Sequence, residues 1–252
     1  MIDVSGVTYA IGKARILHDV SLQIPRGQMT ALIGPNGAGK SSLLSLIAGQ
    51  EALQTGAVLV DGMPIDQTLP RDLALKMAVV AQHVGVASRL RIKDLIGFGR
   101  WPHNQGRPTQ ADQTMIAQAM TRFDLDALAD RFLDEVSGGQ RQRAFVAMAY
   151  AQDTDWLLLD EPLNNLDLRH ASRLMAELHR LTREQDKSIV IVLHDLNYAM
   201  AWADHIVAMK GGAVAFAGAT SEVATAESLT ALYDTDVRLI RTGEDIFVAH
   251  HR

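Results

Sequence analysis

The chain has no cysteine, which excludes disulfide bridges and thiolate metal sites. It has no run of about eighteen apolar residues, so no segment is expected to span a bilayer. The opening Met1-Ile2-Asp3-Val4-Ser5-Gly6 carries neither a basic n-region nor an apolar h-region, and no secretory signal is expected there. Nor is there an excess of positive charge. The formal net charge is −5 and the pI about 6.0, which gives no electrostatic footprint for nucleic acid. Internal repeats and low-complexity segments are absent as well. The nine histidines show no metal-ligand spacing, and the pair His250-His251 reads as solvated tail. The ten methionines read as core filler. What remains is 252 residues, enough to bury a full core as one large α/β domain or as a core carrying an insertion.

Along the chain, Val4–Tyr9 and Val20–Ile24 read as short strands, with Pro25-Arg26-Gly27 turning the chain after them. Met29–Ile33 is a continuous apolar run of strand length that enters a glycine-rich loop. A helical stretch from Ser42 to Ala48 follows, and Gly49 is placed to end it. Val58–Val60 with Asp61-Gly62 reads as a hairpin, and Met77–Ala81 as a buried strand ending at Gln82. From about 86 to 150 the pattern changes to helical stretches broken by loops, notably Trp101–Pro108. We take this as a helical insertion in a core built from 1–85 and 151–252. Alternation then resumes: strand 156–159, helix 168–184, strand 188–193, helix 196–203, then short strands. Such β/α alternation predicts a largely parallel sheet with helices on both faces.

Three segments carry chemistry. Gly34-Pro35-Asn36-Gly37-Ala38-Gly39-Lys40-Ser41 fits G-x-x-x-x-G-K-[ST], the loop that wraps nucleotide phosphates in backbone N–H groups. Its strand–loop–helix setting is the one that motif requires. Gly34, Gly37 and Gly39 let the backbone approach the β-phosphate, Lys40 brings a charge to the β/γ-phosphates, and Ser41 is placed to ligate Mg²⁺. Pro35, Asn36, Ala38 and Ser42 complete the wrapping, and the helix that starts here adds its positive end. Leu157-Leu158-Leu159-Asp160-Glu161 delivers two adjacent carboxylates at the C-terminal edge of a strand, where α/β sheets bind ligands. Neighbours on an extended chain point to opposite sides, so the two can differ in role. Asp160 would hold Mg²⁺ and Glu161 would polarise an attacking water. Ser137-Gly138-Gly139-Gln140 precedes a helix-compatible stretch. Ser137 is a natural N-cap, but tandem glycines add nothing to a cap and make sense where backbone amides must touch a phosphate.

Together these segments resemble the ATP-binding-cassette (ABC) ATPases, and the resemblance covers essentially the whole chain. It implies a P-loop NTPase core with a small antiparallel β-subdomain and an inserted helical subdomain that docks on membrane-spanning partners. By the same likeness His194 contacts the γ-phosphate and the attacking water, Gln82 senses Mg²⁺, Tyr9 stacks on adenine, and Asp167 belongs to a loop crossing a dimer interface. One copy of each motif implies a head-to-tail homodimer, with Ser137–Gln140 closing on nucleotide held by the other subunit. The implied setting is the cytoplasmic face of the membrane, where ATP is found, beside permease subunits fed by a periplasmic or lipid-anchored substrate-binding protein. Glu161–His170 and Ile96–Arg100 resemble the ATPases of bacterial importers for ferric siderophores, haem and cobalamin, the first segment looking most like the ferric-siderophore members. An iron chelate is therefore the first expectation for cargo, with haem next and cobalamin third. A non-transport member such as an iron–sulfur-assembly subunit stays open beside them. A purely regulatory nucleotide module is disfavoured, because both Glu161 and His194 are present.

Overall fold

The computed structural model describes residues 1–81, 89–243 and 245–250. The first stretch forms β1 (Ile2–Ile11), β2 (Ala14–Ile24), β3 (Met29–Ile33), α1 (Lys40–Ile47), β4 (Thr55–Val60) and β5 (Met63–Pro64). The middle holds α2 (Pro70–Ala74), β6 (Met77–Val80), α3 (Ile92–Phe98), α4 (Trp101–Asn104), α5 (Gln110–Arg122), α6 (Gly138–Ala151), β7 (Trp156–Asp160) and α7 (Leu168–Gln185). After these come β8 (Ser188–Val192), α8 (Leu196–Trp202), β9 (His205–Lys210), β10 (Ala213–Ala219), α9 (Thr220–Val223), α10 (Ala226–Tyr233), β11 (Arg238–Thr242) and β12 (Asp245–Ala249). The mixed α/β class expected from the sequence is the class found. The chain divides into two compact units, Met1–Thr68 with Ser188–Arg252 and, between them in sequence, Leu69–Lys187.

In the first unit β3 lies between β8 and β9 and runs parallel to both. All five of its residues are buried, because a strand covered on both faces has no polar side to alternate. β10 pairs antiparallel with β9. A second sheet, in the order β2-β1-β4-β5, is antiparallel throughout. Its β4–β5 turn is Asp61-Gly62, with φ of 50° and 80°, the left-handed pair that a tight hairpin needs. β1 and β2 are longer than the sequence suggests. Register shifts between Val4 and Val7, at Tyr9 and at Ala10 interrupt the period-two alternation that marks a strand. β11 and β12 form a hairpin fastened to α8, where the Val248 N–H donates to the Asn197 side chain at 2.8 Å.

The second unit contains the parallel pair β6–β7, in register from Met77↔Trp156 to Val80↔Leu159. Among the described residues of 89–150 there is no strand, only an isolated bridge between Arg91 and Phe132. A buried ion pair holds the helices together. Arg100 donates to Asp112 on α5 and to the Ala151 carbonyl at the end of α6, each at 2.8 Å. The Asp112 carboxyl is held far below its usual range, first by the Thr109 backbone amide and then by Arg100. Removing one partner would leave a buried charge unmatched, a loss of about 3–5 kcal/mol. A Cβ at Gly99 would lie 2.2 Å from the Met148 carbonyl oxygen. Ile96–Arg100 is thus a joint of the helical unit. α7 shows how sequence becomes packing. Asp167 caps its start, and Ala171, Leu174, Met175, Leu178 and Leu181 form one buried stripe at helical spacing. The compact unit Leu69–Lys187 holds β6, β7 and α7 besides these helices. Among the described residues no helix is long and apolar enough to cross a membrane.

Candidate nucleotide site

In the first unit, residues 34–41 leave the C-terminal edge of β3 and turn into α1. Gly34 has φ 139°, and a Cβ there would lie 2.0 Å from the Met209 carbonyl oxygen on β9, so no side chain fits. Gly37 differs. Its φ is 77° but nothing lies within 4 Å, so it is the conformation and the open space above it that favour glycine. Asn36 and Gly37 form the exposed crest, while Pro35 and Ala38 brace the turn through the Ala38 N–H to Pro35 carbonyl bond of 3.2 Å. Lys40 is only 6% exposed, and its Nζ donates to the carbonyls of Gly34 at 2.8 Å and Pro35 at 3.0 Å. No side chain caps α1 and its first turn holds no acidic residue, so the helix presents its positive end, with Ser41 and Ser42 in that turn.

The rest of the first unit supports this loop. The β3–β8 register carries on through the Leu193 N–H to Leu32 carbonyl bond of 3.2 Å. His194 therefore emerges, exposed, at the same sheet edge as Gly34. Asp195 behind it caps α8 by accepting from the Asn197 N–H at 2.8 Å. The Tyr233 hydroxyl on α10 accepts from the Gly34 N–H at 3.0 Å, and burial pushes this phenol's pKa up. Lys210 fixes that end of α10 by donating to the Ala231 carbonyl at 2.6 Å and to Asp234 at 2.7 Å. Nothing local in the sequence signals Tyr233, which lies 199 positions from its partner.

Tyr9 requires a correction. Its side chain is only 7% exposed, and its hydroxyl donates to Glu51 at 2.9 Å, a bond that holds the phenol above its usual pKa. A ring packed in this way has no face to offer to adenine. The exposed apolar residue at this end of β1 is Ile11, 59% exposed and paired with Ala14 across the hairpin. That hairpin borders the phosphate loop, since a Cβ at Gly39 would meet Leu17 at 2.6 Å and the Ile16 carbonyl at 3.2 Å.

In the second unit Asp160 ends β7 and is 6% exposed. The chain reverses directly after it. Glu161 adopts a left-handed φ of 51° and Asn165 one of 63°, with the Asn164 N–H to Glu161 carbonyl bond at 3.2 Å spanning the turn. The Asn164 side-chain amide donates to Glu161 Oε2 at 2.6 Å. Ser137 caps α6 in a reciprocal box: its hydroxyl accepts from the Gln140 N–H at 3.2 Å, and the Gln140 side chain accepts from the Ser137 N–H at 2.9 Å. The box leaves the Gly138 and Gly139 amides out. The tandem glycines also have a packing reason that the sequence does not reveal. A Cβ on Gly138 would lie 3.3 Å from the Asn165 Cβ, and one on Gly139 3.0 Å from Leu166 and 3.2 Å from the Asn165 carbonyl. Asp167 caps α7, accepting from the His170 N–H at 2.8 Å and meeting the His170 ring at 2.7 Å. The backbone amide first and the ring second hold its carboxyl below the usual range. Gln82 lies outside the described residues.

Comparison with known proteins adds the following. The ABC transporter family profile matches residues 17–164. The petrobactin import ATP-binding protein YclP of Bacillus subtilis is 43% identical over 94% of this chain and 94% of its own. The ferric enterobactin transport ATP-binding protein FepC of Escherichia coli is 36% identical over 90% of this chain and 84% of its own. Among solved structures, the dimeric ATP-binding cassette MJ0796, in a post-hydrolysis state with ADP and phosphate, superposes with a TM-score of 0.79. It is 25% identical, with 87% of this chain and 99% of that one covered.

Proposed function

Because this chain belongs to the ABC transporter family, we propose that it is the ATP-hydrolysing subunit of an importer for a ferric siderophore. The observation that carries the reading is the phosphate loop. Its backbone is fixed by the Gly34–Met209 contact, its helix start is uncapped, and Lys40 is held against the loop's own carbonyls. On binding ATP, Lys40 exchanges those carbonyls for β/γ-phosphate oxygens, and Gly37 lets the backbone close on the β-phosphate. The apolar Ile11 side chain covers one face of the adenine.

The Ser41 hydroxyl and the Asp160 carboxylate are hard oxygen donors, the kind Mg²⁺ takes alongside phosphate oxygens and water. When bound, the ion neutralises charge developing on the phosphates. Glu161 orients and polarises the attacking water, His194 donates to the γ-phosphate, and Gln82 reports its presence. The Ser137–Gln140 loop, through the glycine amides its cap leaves out, closes on nucleotide held by a second copy. Asp167 sits in the loop that crosses between the copies. The working unit is then a homodimer, peripheral on the cytoplasmic face, joined to integral permease subunits and served by a separate substrate-binding protein.

The names of the petrobactin and enterobactin relatives point to ferric siderophores as cargo. Such chelates are scarce and bulky, so coupling their uptake to ATP is physically reasonable. Deleting the gene and measuring uptake of radiolabelled iron as siderophore complex tests this, with haem and cobalamin as controls. Loss of siderophore–iron uptake alone is the expected result. Loss confined to haem or cobalamin overturns the cargo and leaves the ATPase reading standing.

A further inference from the structure

We propose that Asn164 is a positioning residue for hydrolysis, clamping one oxygen of Glu161 so that the other is aimed at the attacking water. The proposal rests on the reading of Glu161 as the water-polarising carboxylate. Three observations carry it. The Asn164 amide donates to Glu161 Oε2 at 2.6 Å, a short, charge-assisted contact. Glu161 sits at φ 51°, a left-handed conformation that costs a non-glycine residue free energy and fixes the departure of its side chain from the backbone. The turn is braced from behind, because Gly138 and Gly139 pack against Asn165 and Leu166. A glutamate on a mobile turn would sample several rotamers. This one is held at its backbone and at its tip.

The choice of donor matters. A lysine or arginine at 164 would also hold the carboxylate, but its charge would weaken the carboxylate as a proton acceptor. A neutral amide fixes direction at little cost to basicity. In the step it serves, the water oxygen bonds to the γ-phosphorus as the bridging bond to the β-phosphate breaks. ADP and phosphate leave, and the water's proton passes to Glu161 and from there to phosphate or solvent. Catalysis of this kind is mostly positioning, so an ångström of misplacement is felt in kcat.

The test uses the full chain with MgATP. Asn164→Ala is expected to lower kcat about tenfold or more, the scale of a hydrogen bond to a charged group, with KM for ATP within about twofold of the parent. Asn164→Asp keeps the shape and places an acceptor against the carboxylate, so its kcat is expected to fall further. In single-turnover measurements on the Glu161→Gln background, adding Asn164→Ala is expected to change the residual rate by less than about twofold, because the group it acts through is gone. If Glu161→Gln is inactive while both Asn164 variants keep the parent kcat, the positioning role is overturned and Glu161 stands. An undiminished Asn164 effect on the Glu161→Gln background overturns it too, since the residue then acts elsewhere. Normal turnover by Glu161→Gln alone overturns the reading of Glu161 beneath it.

Discussion

The two glycine-bearing loops of this chain meet their helices in opposite ways. At α1 the helix start has no side-chain cap and no acid, and the lysine that opens it is folded back on the loop. At α6 a reciprocal Ser137–Gln140 box already satisfies two amides, and the glycines are spoken for by packing against 165–166. The first loop is ready for an anion as it stands. The second is closed on itself, with only the two glycine amides outside its cap. Readiness in one and reticence in the other suit a division in which the first loop captures nucleotide and the second answers later, when another copy presents one. Under the proposed function the same division sets Lys40, assigned to binding, against Glu161, assigned to the reaction.

Glu161→Gln should lower kcat by about 10²–10⁴-fold, the range for losing a general base, while ATP affinity holds. Phosphate release and titration with a fluorescent ATP analogue measure the two separately, and a parallel fall in affinity would erase the division. Gly34→Ala should destabilise the fold by about 3 kcal/mol or more, combining a backbone clash with a conformation alanine resists. Gly139→Ala should cost about 1–2 kcal/mol, less than Gly34→Ala, because the Leu166 tip can move and the Asn165 carbonyl, at 3.2 Å, is far less tightly met than the Met209 carbonyl at Gly34. Chemical denaturation compares them, and equal losses would mean both loops are equally rigid. Lys40→Ala should weaken ATP binding about 10- to 100-fold by removing a charged donor, a reversal of the Glu161 pattern. Ser137→Ala should cost about 1 kcal/mol of stability through the lost cap and leave ATP affinity of the isolated subunit unchanged. Differential scanning with and without nucleotide reads both. Last, Ile11→Ala should weaken ATP binding a few-fold and Tyr9→Phe should not, which the same titration decides.

The sequence declared those parts whose cause is local. The β3 and β7 runs, the phosphate loop and the stripe of α7 each follow from residues within one element's length. What stayed hidden depends on partners far along the chain. Tyr9 looks like any strand aromatic until Glu51, 42 positions on, takes its hydroxyl. The tandem glycines read as pure phosphate chemistry because their other neighbour, the 165–166 turn, is distant in sequence. Ile96–Arg100 suggested a kind of importer, yet Arg100 and Gly99 are fixed by Asp112, Ala151 and Met148. Its pattern therefore records how helices are joined as much as what is carried. Arg89 and Arg91 carry nothing in their sequence neighbourhood that shows what they touch. In the structure both are exposed, with Arg89 4.4 Å over the Phe132 ring and Arg91 bonded to Asp130 at 3.1 Å.

The bond from Gly34 to Tyr233 has a consequence for birth rather than for function. Translation at roughly 5–20 residues per second separates these two partners, 199 positions apart, by about 10–40 s. For nearly all of that interval, from Ser41 onward, a growing chain already carries its entire phosphate motif. Until Tyr233 is made it lacks the hydroxyl that pins the loop's first amide, and until β8 and β9 have been made the apolar run of β3 has no parallel neighbour. Until then the phosphate loop lacks one of its fixings and β3 lacks its cover. Ribosome-bound chains arrested before Tyr233 should accordingly fail to retain nucleotide and should recruit chaperones at Met29–Ile33, whereas chains released just beyond Asp234 should do neither.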